Sequence, residues 1–259
     1  MSEGVQGAKS FSRTIAVLQL VADAPQPIAV ADLLVRSALT RPTLYRILAA
    51  LEAEHLVVQN SDKRYQMGSR VVSLAHRALA QMDIRTLARE PLEALRDTLG
   101  ETVHLAIRSS DELVYVDKIE SREVVRMAST VGTRVPFHSS SVGKAYLGAM
   151  SADEACELID RLEMVAITEH SSTDKTAFKA YIESVRQCGY AFESEENEQG
   201  IVCFGAAILD AQHRPAASVS VSVPMFRLKE DRQFYVAALR SACAAISRQL
   251  GWTGKNTGA

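Results

Sequence analysis

The sequence contains no run of about 18 uninterrupted apolar residues, the length that a helix needs to cross a bilayer. Residues 1–11 also lack the apolar core of a secretion signal, so we expect a cytoplasmic protein. Low-complexity tracts are absent as well. With 47% hydrophobic and 23% charged residues, the composition is typical of a folded globular chain and not of a disordered one.

Cysteine is scarce, and its positions indicate no site that needs several thiols. The four cysteines are Cys156, Cys188, Cys203 and Cys243, and no two of them form a C-x-x-C pair. This spacing favours neither a zinc site nor a disulfide framework. We therefore predict reduced thiols, no bound metal and no cofactor.

Charge is distributed unevenly along the 259 residues. Residues 1–80 carry nine Lys and Arg against six Asp and Glu, a net charge of +3, whereas the remainder carries 20 against 25, a net charge of −5. A chain of this length exceeds the usual size of one domain, roughly 100–200 residues, so two folded units are expected. The positive balance of the first unit suits a polyanionic partner, although ordinary surface charge explains it equally well.

The first fifty residues predict three helices. Apolar residues recur at helical spacing from Arg13 to Ala22, and a second short helix is predicted from Val30 to Arg36. A third begins at Thr40, a suitable N-cap residue, with Pro42 in its first turn. Its apolar positions form one stripe that we expect to be buried: Leu44, Ile47, Leu48 and Leu51. Two short successive helices, the second with a polar outer face, are typical of a helix-turn-helix.

A basic hairpin follows the third helix. Leu56–Gln59 and Tyr65–Met67 are predicted strands joined by the polar turn 60–64, and we interpret this hairpin as a wing. By itself the turn favours an ordinary solvated loop over a DNA contact. The order of three helices and a basic-tipped hairpin favours a winged helix-turn-helix that binds DNA. The residues that we predict to contact DNA are Arg41, Thr43, Tyr45, Arg46, Lys63 and Arg64.

An amphipathic segment after the hairpin predicts a connecting helix. Its apolar residues repeat at helical spacing over three turns: Val71, Leu74, Ala75, Ala78, Leu79 and Met82. Such a stripe has to be buried against another surface, and the same helix or domain of a second subunit is one candidate. Packing on its own chain is the alternative, and the sequence alone does not separate the two.

The remaining residues mix strands and helices, which predicts an α+β domain with an antiparallel sheet. The predicted strands are 103–107, 113–119, 124–129, 200–209 and 216–223, and the predicted helices are 142–150, 151–164, 177–187 and 231–250. Ser151 and Glu154 are spaced as a capping box, and Gly189 is placed to end a helix.

Two features of this domain suit a polar ligand. Ser218, Ser220 and Ser222 share one face of the last predicted strand, which is either a solvated outer face or one wall of a small cavity. The run from His138 to Lys144 leads into a helix whose free N–H groups can bind a carboxylate or phosphate. Capping by one of the serines in this run explains it without a ligand.

Six segments, in this order and spacing, resemble the IclR family of bacterial transcriptional regulators over nearly the whole chain. They are Thr40–Arg46, Tyr65–Gly68, Gly100–Leu105, Gly143–Leu147, Gly189–Tyr190 with Glu195–Glu196, and Gly200–Cys203. The resemblance implies a winged-helix domain, a linker helix and a GAF-like effector domain, assembled as dimers or as tetramers made of dimers. Ala38 departs from the family pattern, which often has Gly in that turn.

The resemblance also implies a small-molecule site and a domain plan. In similar proteins a small organic or aromatic acid binds against the sheet beside the Gly-Lys helix. Carried over by position, the pocket residues are Met127, Val135, Ser141, Val142, Glu193, Cys203, Ser220 and Ser222. The expected domains are 1–68 for the winged helix-turn-helix, 69–83 for the linker helix, 84–252 for the effector-binding domain and 253–259 for a flexible tail.

The predicted function is ligand-responsive regulation of transcription by binding to operator DNA, with no catalytic residues. Repression relieved by the ligand and activation promoted by it are equally compatible with the sequence. A module that senses a ligand without binding DNA is one alternative. An enzyme with Cys203 as nucleophile and His104 or His138 as base is a second. A metal site built from Glu193, Glu195, Glu196 and a histidine is a third.

Overall fold

Three helices and a two-stranded hairpin begin the first of two units in the computed structural model, which describes residues 9–80, 83–124, 127 and 129–254. Side chains at positions 76, 78–80 and 83 also lie outside the description. The two units divide between residues 81 and 82. The elements of the first unit are α1 (Lys9–Ala22), α2 (Val30–Ser37), α3 (Arg41–Ala53), β1 (Val57–Gln59), β2 (Tyr65–Met67) and α4 (Ser69–Ala80).

The apolar stripe of α3 lies at the centre of this first unit. Its four predicted members are buried, as the sequence indicates: Leu44, Ile47, Leu48 and Leu51. They pack with Val17 and Val21 of α1 and with Leu33 of α2. The hairpin is joined to this core by Ile28, whose N–H and C=O both form 2.8 Å hydrogen bonds with the backbone of Tyr65. The loop after α1 therefore adds one residue to the edge of the wing.

Two details at the helix starts differ from the sequence prediction. α1 already includes Lys9, before the predicted start at Arg13. Thr40 has the extended backbone of an N-cap residue, with φ −71° and ψ 149°, but its side chain makes no capping hydrogen bond. The Thr40 hydroxyl lies instead 2.9 Å from the hydroxyl of Thr43. A threonine partner one turn ahead therefore competes with the backbone N–H groups for this hydroxyl.

The second unit is α+β, as predicted. Its elements are α5 (Asp83–Leu99), β3 (Thr102–Ser109), β4 (Glu112–Ile119), β5 (Arg134–Val135), α6 (Ser141–Ala149), α7 (Ala152–Arg161), α8 (Lys175–Cys188), β6 (Ala191–Ser194), β7 (Ile201–Leu209), β8 (Pro215–Pro224) and α9 (Gln233–Gln249). Ser151 caps α7 and Gly189 ends α8 with a φ of +74°, both as expected.

The six strands form one antiparallel sheet in the order β5-β4-β3-β8-β7-β6. Because β3 and β8 are its central strands, residues far apart in sequence become direct neighbours. The register sets Glu193 of β6 opposite Cys203 of β7, and Cys203 opposite Ser222 of β8. It also sets Ser220 opposite His104 of β3. One face of the sheet therefore carries a row of polar side chains across four strands.

Helices cover both faces of this sheet. α9 packs on the apolar face, where Phe204 of β7 stacks on Tyr235 at a ring-centroid distance of 5.0 Å, and α5 contacts α9 and β3. α6 packs on the polar face, with α7 and α8 against it. The approach of α6 is close because Gly205 has no side chain, and a Cβ there would overlap the carbonyl oxygen of Ser141.

Four parts of the sequence prediction for this unit need correction. No strand is found in the described residues of 124–129, where Val124 lies in a bend and residues 125, 126 and 128 lie outside the description. We predicted no element for α5, β5 or β6. β5 and β6 contain two and four residues, too few to show a period.

In the part of the chain that the structure describes, no helix has the length and apolar character needed to cross a membrane.

Candidate functional site

The outer surface of α3 is free to contact another molecule. Arg41 and Arg46 are exposed, Tyr45 is 46% exposed and Thr43 is half-buried. In the described residues, no ion pair engages either arginine. The four buried residues on the opposite face fix the orientation of α3, so its donors are held on a rigid element. The predicted DNA-contacting side chains of α3 are therefore not buried inside the first unit.

The wing tip is ordered by its own side chains. Asn60 Oδ1 accepts hydrogen bonds from the N–H groups of Asp62 and Arg64, both at 3.0 Å. Lys63 occupies the left-handed region with φ +58°, and its side chain is exposed. Arg64 is also exposed but donates to the carbonyl of Pro27 at 3.3 Å. Lys63 therefore projects freely, whereas Arg64 is partly used in holding the wing against the loop after α1.

Apolar side chains of α1 and α4 are exposed in the single chain. On α4, Val72 is 70% and Leu74 is 53% exposed, and on α1, Phe11 is 67% and Ile15 is 44% exposed. Of the predicted α4 stripe, Ala75 is exposed and Val71 is half-buried, while Ala78, Leu79 and Met82 lie outside the described side chains. Several large apolar side chains exposed on the same unit are typical of an interaction surface.

The polar face of the sheet in the second unit is buried beneath α6. Ser218, Ser220 and Ser222 are at most 2% exposed, which excludes a solvated outer face. The thiol of Cys203 donates to Ser222 Oγ at 3.3 Å. In this part of the structure, the hydroxyl of Ser218 has no hydrogen-bond partner, and the hydroxyl of Ser220 interacts only with the side chain of Tyr115. A buried hydroxyl without a partner is costly, which favours a wall that meets a polar ligand.

The first turn of α6 closes the other side of this site. Ser140 caps the helix by accepting from the N–H of Gly143 at 3.1 Å, so the serine cap considered from the sequence is present. Lys144 is buried, forms an ion pair with Glu196 and lies 5.2 Å from the centre of the Tyr181 ring. The only lysine on α6 is therefore neutralised within the chain.

The structure brings six of the eight predicted pocket residues together around Cys203 and Ser220, whereas Val135 and Val142 lie in the apolar core. Cys203 packs with Met127 and Ile201, and Glu193 and Ser222 flank it on the neighbouring strands. Ser141 lies over Gly205, next to Ser220. Val135 and Val142 belong to the large apolar core that also contains Phe137 and Tyr115. The eight predicted residues are all buried.

Other residues join this site that the predicted pocket did not include, and of these the sequence analysis named only His104, as a possible base of an enzyme. His104 is fully buried, stacks on Tyr115 with ring centroids 4.4 Å apart, and contacts Ser129 Oγ at 2.6 Å. Lys118 donates to the carbonyls of Met127 and Ser129 at 3.0 and 2.6 Å. The alternation of β3 contained a signal, because His104 is a polar residue between the apolar Val103 and Leu105. That signal points to the predicted site only once β3 is known to pair with β8.

Burial controls the electrostatics of the site. It raises the pKa of Glu193 to about 7, and hydrogen bonds from Cys203 and the Glu196 N–H, together with the charge of Lys144, oppose that rise. Burial also raises the pKa of the Cys203 thiol well above its usual value, with the Glu193 charge adding to it. It lowers the pKa of His104 to about 3, and Lys118 lowers it further. His104 and Cys203 are therefore neutral over the physiological range, whereas Glu193 changes its charge within that range.

These values bear on the enzyme and metal alternatives. A nucleophilic cysteine needs a lowered thiol pKa, and Cys203 has the opposite shift. His138 is bonded to the carbonyl of Val165 at 2.9 Å. Among the described residues there is no group of three or more His, Cys, Asp or Glu side chains that could hold a metal ion. Glu196, one of the acids considered for such a site, is paired with Lys144.

Two family models match the chain and together span most of it. The model of the IclR helix-turn-helix domain matches residues 10–61. The model of the C-terminal domain of the bacterial transcriptional regulator IclR matches residues 76–248. The second match alone covers more than half of the 259 residues and contains the whole of the buried site described above.

Curated relatives agree with these matches. The HTH-type transcriptional regulator KdgR of Escherichia coli K12 is 30% identical over 245 residues, which cover 94% of this chain and 93% of KdgR. The HTH-type transcriptional repressor AllR of the same strain is 30% identical over 248 residues, which cover 95% of this chain and 92% of AllR.

Solved structures share the fold over nearly the full length. The Thermotoga maritima IclR structure is 29% identical, has a TM-score of 0.73 and covers 94% of this chain and 99% of its own. An IclR homologue from Microbacterium hydrocarbonoxydans, crystallised with 4-hydroxybenzoate, is 21% identical, has a TM-score of 0.78 and covers 93% and 99%. The latter likeness shows the fold alone.

Proposed function

This chain belongs to the IclR family of bacterial transcriptional regulators, and we propose that it binds operator DNA through α3 and the wing under the control of a small organic acid. It is a helix-turn-helix regulator with a C-terminal effector domain. The observation that carries the DNA-binding part of the proposal is that Arg41 and Arg46 on the rigid helix α3 are exposed and form no ion pair among the described residues.

In the proposed complex, α3 enters the major groove with its N-terminal half. Arg41, Thr43, Tyr45 and Arg46 lie near base edges or phosphates, and Lys63 and Arg64 lie near the backbone. Arginine suits both roles because its planar guanidinium forms paired hydrogen bonds with guanine or with phosphate. The free side chain of Lys63 suits a phosphate contact, whereas the bond from Arg64 to Pro27 suits a role in orienting the wing.

We propose a dimer as the DNA-binding form. The exposed apolar side chains of α1 and α4 support it, because a second copy would remove them from water, and operator half-sites require two recognition helices. Pairing of such dimers into a tetramer is part of the proposal. The domain plan also stands as a proposal, with the winged helix-turn-helix at 1–68, the linker helix at 69–83, the effector-binding domain at 84–252 and a tail at 253–259.

The proposed effector is a small organic acid, carboxylic or aromatic, that binds between the polar face of the sheet and the start of α6. The unpaired hydroxyl of Ser218 supports a polar ligand, and the apolar side chains of Met127, Val135 and Val142 suit a carbon skeleton. The bound 4-hydroxybenzoate of the Microbacterium hydrocarbonoxydans homologue makes an aromatic acid a reasonable first probe.

Substitution of Arg46 tests the DNA-binding proposal. We expect Arg46→Ala to weaken binding to the promoter DNA upstream of the protein's own gene by about 5- to 150-fold, because one base or phosphate contact contributes roughly 1–3 kcal/mol. Fluorescence anisotropy with a labelled duplex measures the change. The matched control is Arg161→Ala, which removes an exposed arginine from α7 and is expected to leave the affinity unchanged.

The same titration separates the alternatives. Full operator affinity in Arg46→Ala would contradict the proposed interface. If neither this variant nor the unmodified protein bound the duplex at all, the ligand-sensing module without DNA binding would be favoured. Thermal-shift measurements with small carboxylic acids, 4-hydroxybenzoate among them, test the effector part separately. Stabilisation that Ser222→Ala abolishes is the expected result.

A further inference from the structure

A row of five polar side chains crosses the sheet beneath α6 and ends in the loop after β4. It begins at Glu193 on β6, which the register sets directly opposite Cys203 on β7, so that the carboxyl lies beside the thiol and interacts with it. The thiol lies 3.3 Å from Ser222 Oγ on β8, and that oxygen lies 3.4 Å from His104 Nδ1 on β3. His104 Nε2 lies 2.6 Å from Ser129 Oγ. Each member therefore contacts the next, from the far strand to a half-buried residue.

Each interior member of this row can face either way. A thiol or a hydroxyl has one proton that it can donate to one neighbour while it accepts from the other, and a neutral imidazole has one N–H and one acceptor nitrogen. His104 is held neutral because burial lowers its pKa to about 3. Its ring plane is fixed by stacking on Tyr115, so both ring nitrogens stay aligned with their partners.

Glu193 is the group that decides in which direction the hydrogen bonds of this row are donated. The titratable groups around it are Cys203 on β7, Tyr115 on β4, Lys144 on α6, and Glu196 and Glu198 in the connection from β6 to β7. Lys144 forms an ion pair with Glu196, and one Glu193 oxygen accepts from the Glu196 N–H at 2.9 Å. Burial raises the pKa of Glu193 to about 7, whereas the pKa of the Cys203 thiol is raised well above its usual value, so Glu193 loses its proton first.

We propose that Glu193, Cys203, Ser222, His104 and Ser129 form one reversible hydrogen-bond chain whose direction is set by the proton on Glu193. With Glu193 protonated, its O–H donates to Cys203, the thiol donates to Ser222, the hydroxyl donates to Nδ1 of His104, and Nε2–H donates to Ser129. With Glu193 ionised, every donor turns round. Ser129 then donates to Nε2, Nδ1–H donates to Ser222, Ser222 donates to Cys203, and the thiol donates to the carboxylate.

The two states differ by one proton released to solvent. When Glu193 ionises along the chain, its proton bonds to the Cys203 sulfur and each following group passes its own proton to the next. His104 gains a proton on Nδ1 and loses the one on Nε2, and the half-buried Ser129 end gives up one proton to water. No member other than Glu193 changes its charge. The tautomer of His104 therefore reports the protonation of a carboxyl three side chains away.

In the proposed effector site, the hydrogen-bond chain determines which charge state of a ligand can bind. A carboxylate that reaches Glu193 meets a hydrogen-bond donor in the protonated state and a like charge in the ionised state. A small monocarboxylate is therefore bound together with one proton, and its affinity falls as the pH rises through about 7. This consequence for ligand binding rests on the proposed function, whereas the hydrogen-bond chain does not.

The test measures the His104 tautomer in the full-length protein without DNA or any ligand. Nitrogen-15 NMR of histidine-labelled protein distinguishes Nδ1–H from Nε2–H, and the signal lost in His104→Gln identifies the residue. We expect Nε2–H to predominate at about pH 6 and Nδ1–H at about pH 8, on the two sides of the Glu193 pKa. In Glu193→Gln the tautomer is expected to stay the same at both pH values.

Two further variants keep the test decisive. Glu195→Gln changes a neighbouring glutamate whose carboxylate accepts from the Gly200 N–H, and it should leave the tautomer change intact. Ser222→Ala removes the middle link, and it should abolish the tautomer change even if Glu193→Gln fails to fold. An unchanged tautomer from pH 6 to 8 in the natural protein, or a change that persists in Glu193→Gln or Ser222→Ala, would overturn the proposal. Because no DNA or effector is added, failure of the proposed function would leave this result unaffected.

Discussion

Ala38 ends α2 in the left-handed backbone region, with φ +53° and ψ +25°. Its Cβ makes that conformation less favourable by roughly 1–2 kcal/mol, whereas glycine adopts it freely. The turn between α2 and α3 therefore contains strain that stems from one methyl group. The family resemblance identified Ala38 as a departure from a common glycine, and the structure supplies the reason why glycine suits that position.

Replacement of Ala38 by glycine should stabilise the protein. We expect Ala38→Gly to raise the free energy of unfolding of the first unit by about 0.5–1 kcal/mol, the relief of strain less the greater entropy of an unfolded glycine. Urea denaturation monitored on this unit measures the change. Ala50→Gly in the interior of α3 is the matched control, and it should lower the same free energy by about 1 kcal/mol. The same sign in both variants would show that the turn is not strained.

Glu193 provides a second prediction at this scale. Its pKa is raised from 4.5 in the unfolded chain to about 7 in the folded one. Below about pH 4.5 the carboxyl is protonated in both states and costs nothing. Between that pH and about 7 the unfolded chain ionises while the folded one does not, so stability falls as the pH rises. The total loss is on the order of 3 kcal/mol.

Glutamine at position 193 cannot ionise and should remove that loss. We expect the stability of Glu193→Gln relative to the natural protein to be higher at about pH 8 than at about pH 4.5, measured by chemical denaturation in matched buffers. The control is Glu195→Gln, at a position that is not buried. A difference between Glu193→Gln and the natural protein that stays constant with pH would mean that the buried carboxyl ionises normally.

At the scale of elements, the position of α6 on the sheet decides the geometry of the proposed effector site. The helix starts at Ser141, whose carbonyl oxygen lies where a Cβ of Gly205 would be. A Cβ on Gly143 would likewise overlap the backbone of Phe137. α6 is therefore held between two positions that tolerate no side chain, and a small addition at either one has to move the helix.

A methyl group at Gly205 tests this close packing. We expect Gly205→Ala to lower the free energy of unfolding of the second unit by at least about 2 kcal/mol, because neither the strand nor the helix backbone can move without loss of contacts. Gly200→Ala is the comparison, since a Cβ there has nothing within 4 Å and only its φ of +75° is unfavourable, at roughly 1 kcal/mol. Equal losses would mean that α6 can shift freely.

The elements also show which part of the fold the sequence could predict. α3 was predicted from its stripe because one face packs on its own unit, so that periodicity and burial coincide. α5 also has a buried stripe, made by Ala88, Leu92, Leu95 and Leu99, but Pro91 lies inside it and usually indicates a helix end. The strand β5 depends on pairing with β4 across a long loop, and β6 has only four residues, too few for a local pattern.

The site could be predicted only in part, for a related reason. Ser220 and Ser222 came from a strand with a clear alternation, whereas Cys203 and Glu193 came from the family resemblance. His104, which the sequence analysis considered only as the base of an enzyme, joins the pocket because the register sets β3 beside β8. Ser129 and Lys118 depend on the path of the loop after β4, which we predicted wrongly as a strand. Residues contributed by sheet order and loops therefore lay beyond the sequence analysis.

At the scale of the whole molecule, each unit has its own role. Residues 1–80 have a net charge of +3 and present the arginines of α3, whereas the remainder has a net charge of −5 and encloses a site of neutral polar groups. A polyanion is thus attracted to the first unit and not to the second. In the proposed mechanism, an effector alters DNA binding only as far as it prefers one arrangement of the proposed dimer over another.

Salt dependence of operator binding tests the central claim, that the exposed face of α3 and the wing bind duplex DNA, most directly. Affinity for the promoter duplex upstream of the protein's own gene is measured from about 50 to 200 mM salt, beside a scrambled duplex of equal length. The account predicts a linear fall of log affinity with log salt, at least about tenfold in total, and tighter binding of the promoter at every salt concentration. An affinity that does not change with salt, or that is equal for the two duplexes, would contradict it.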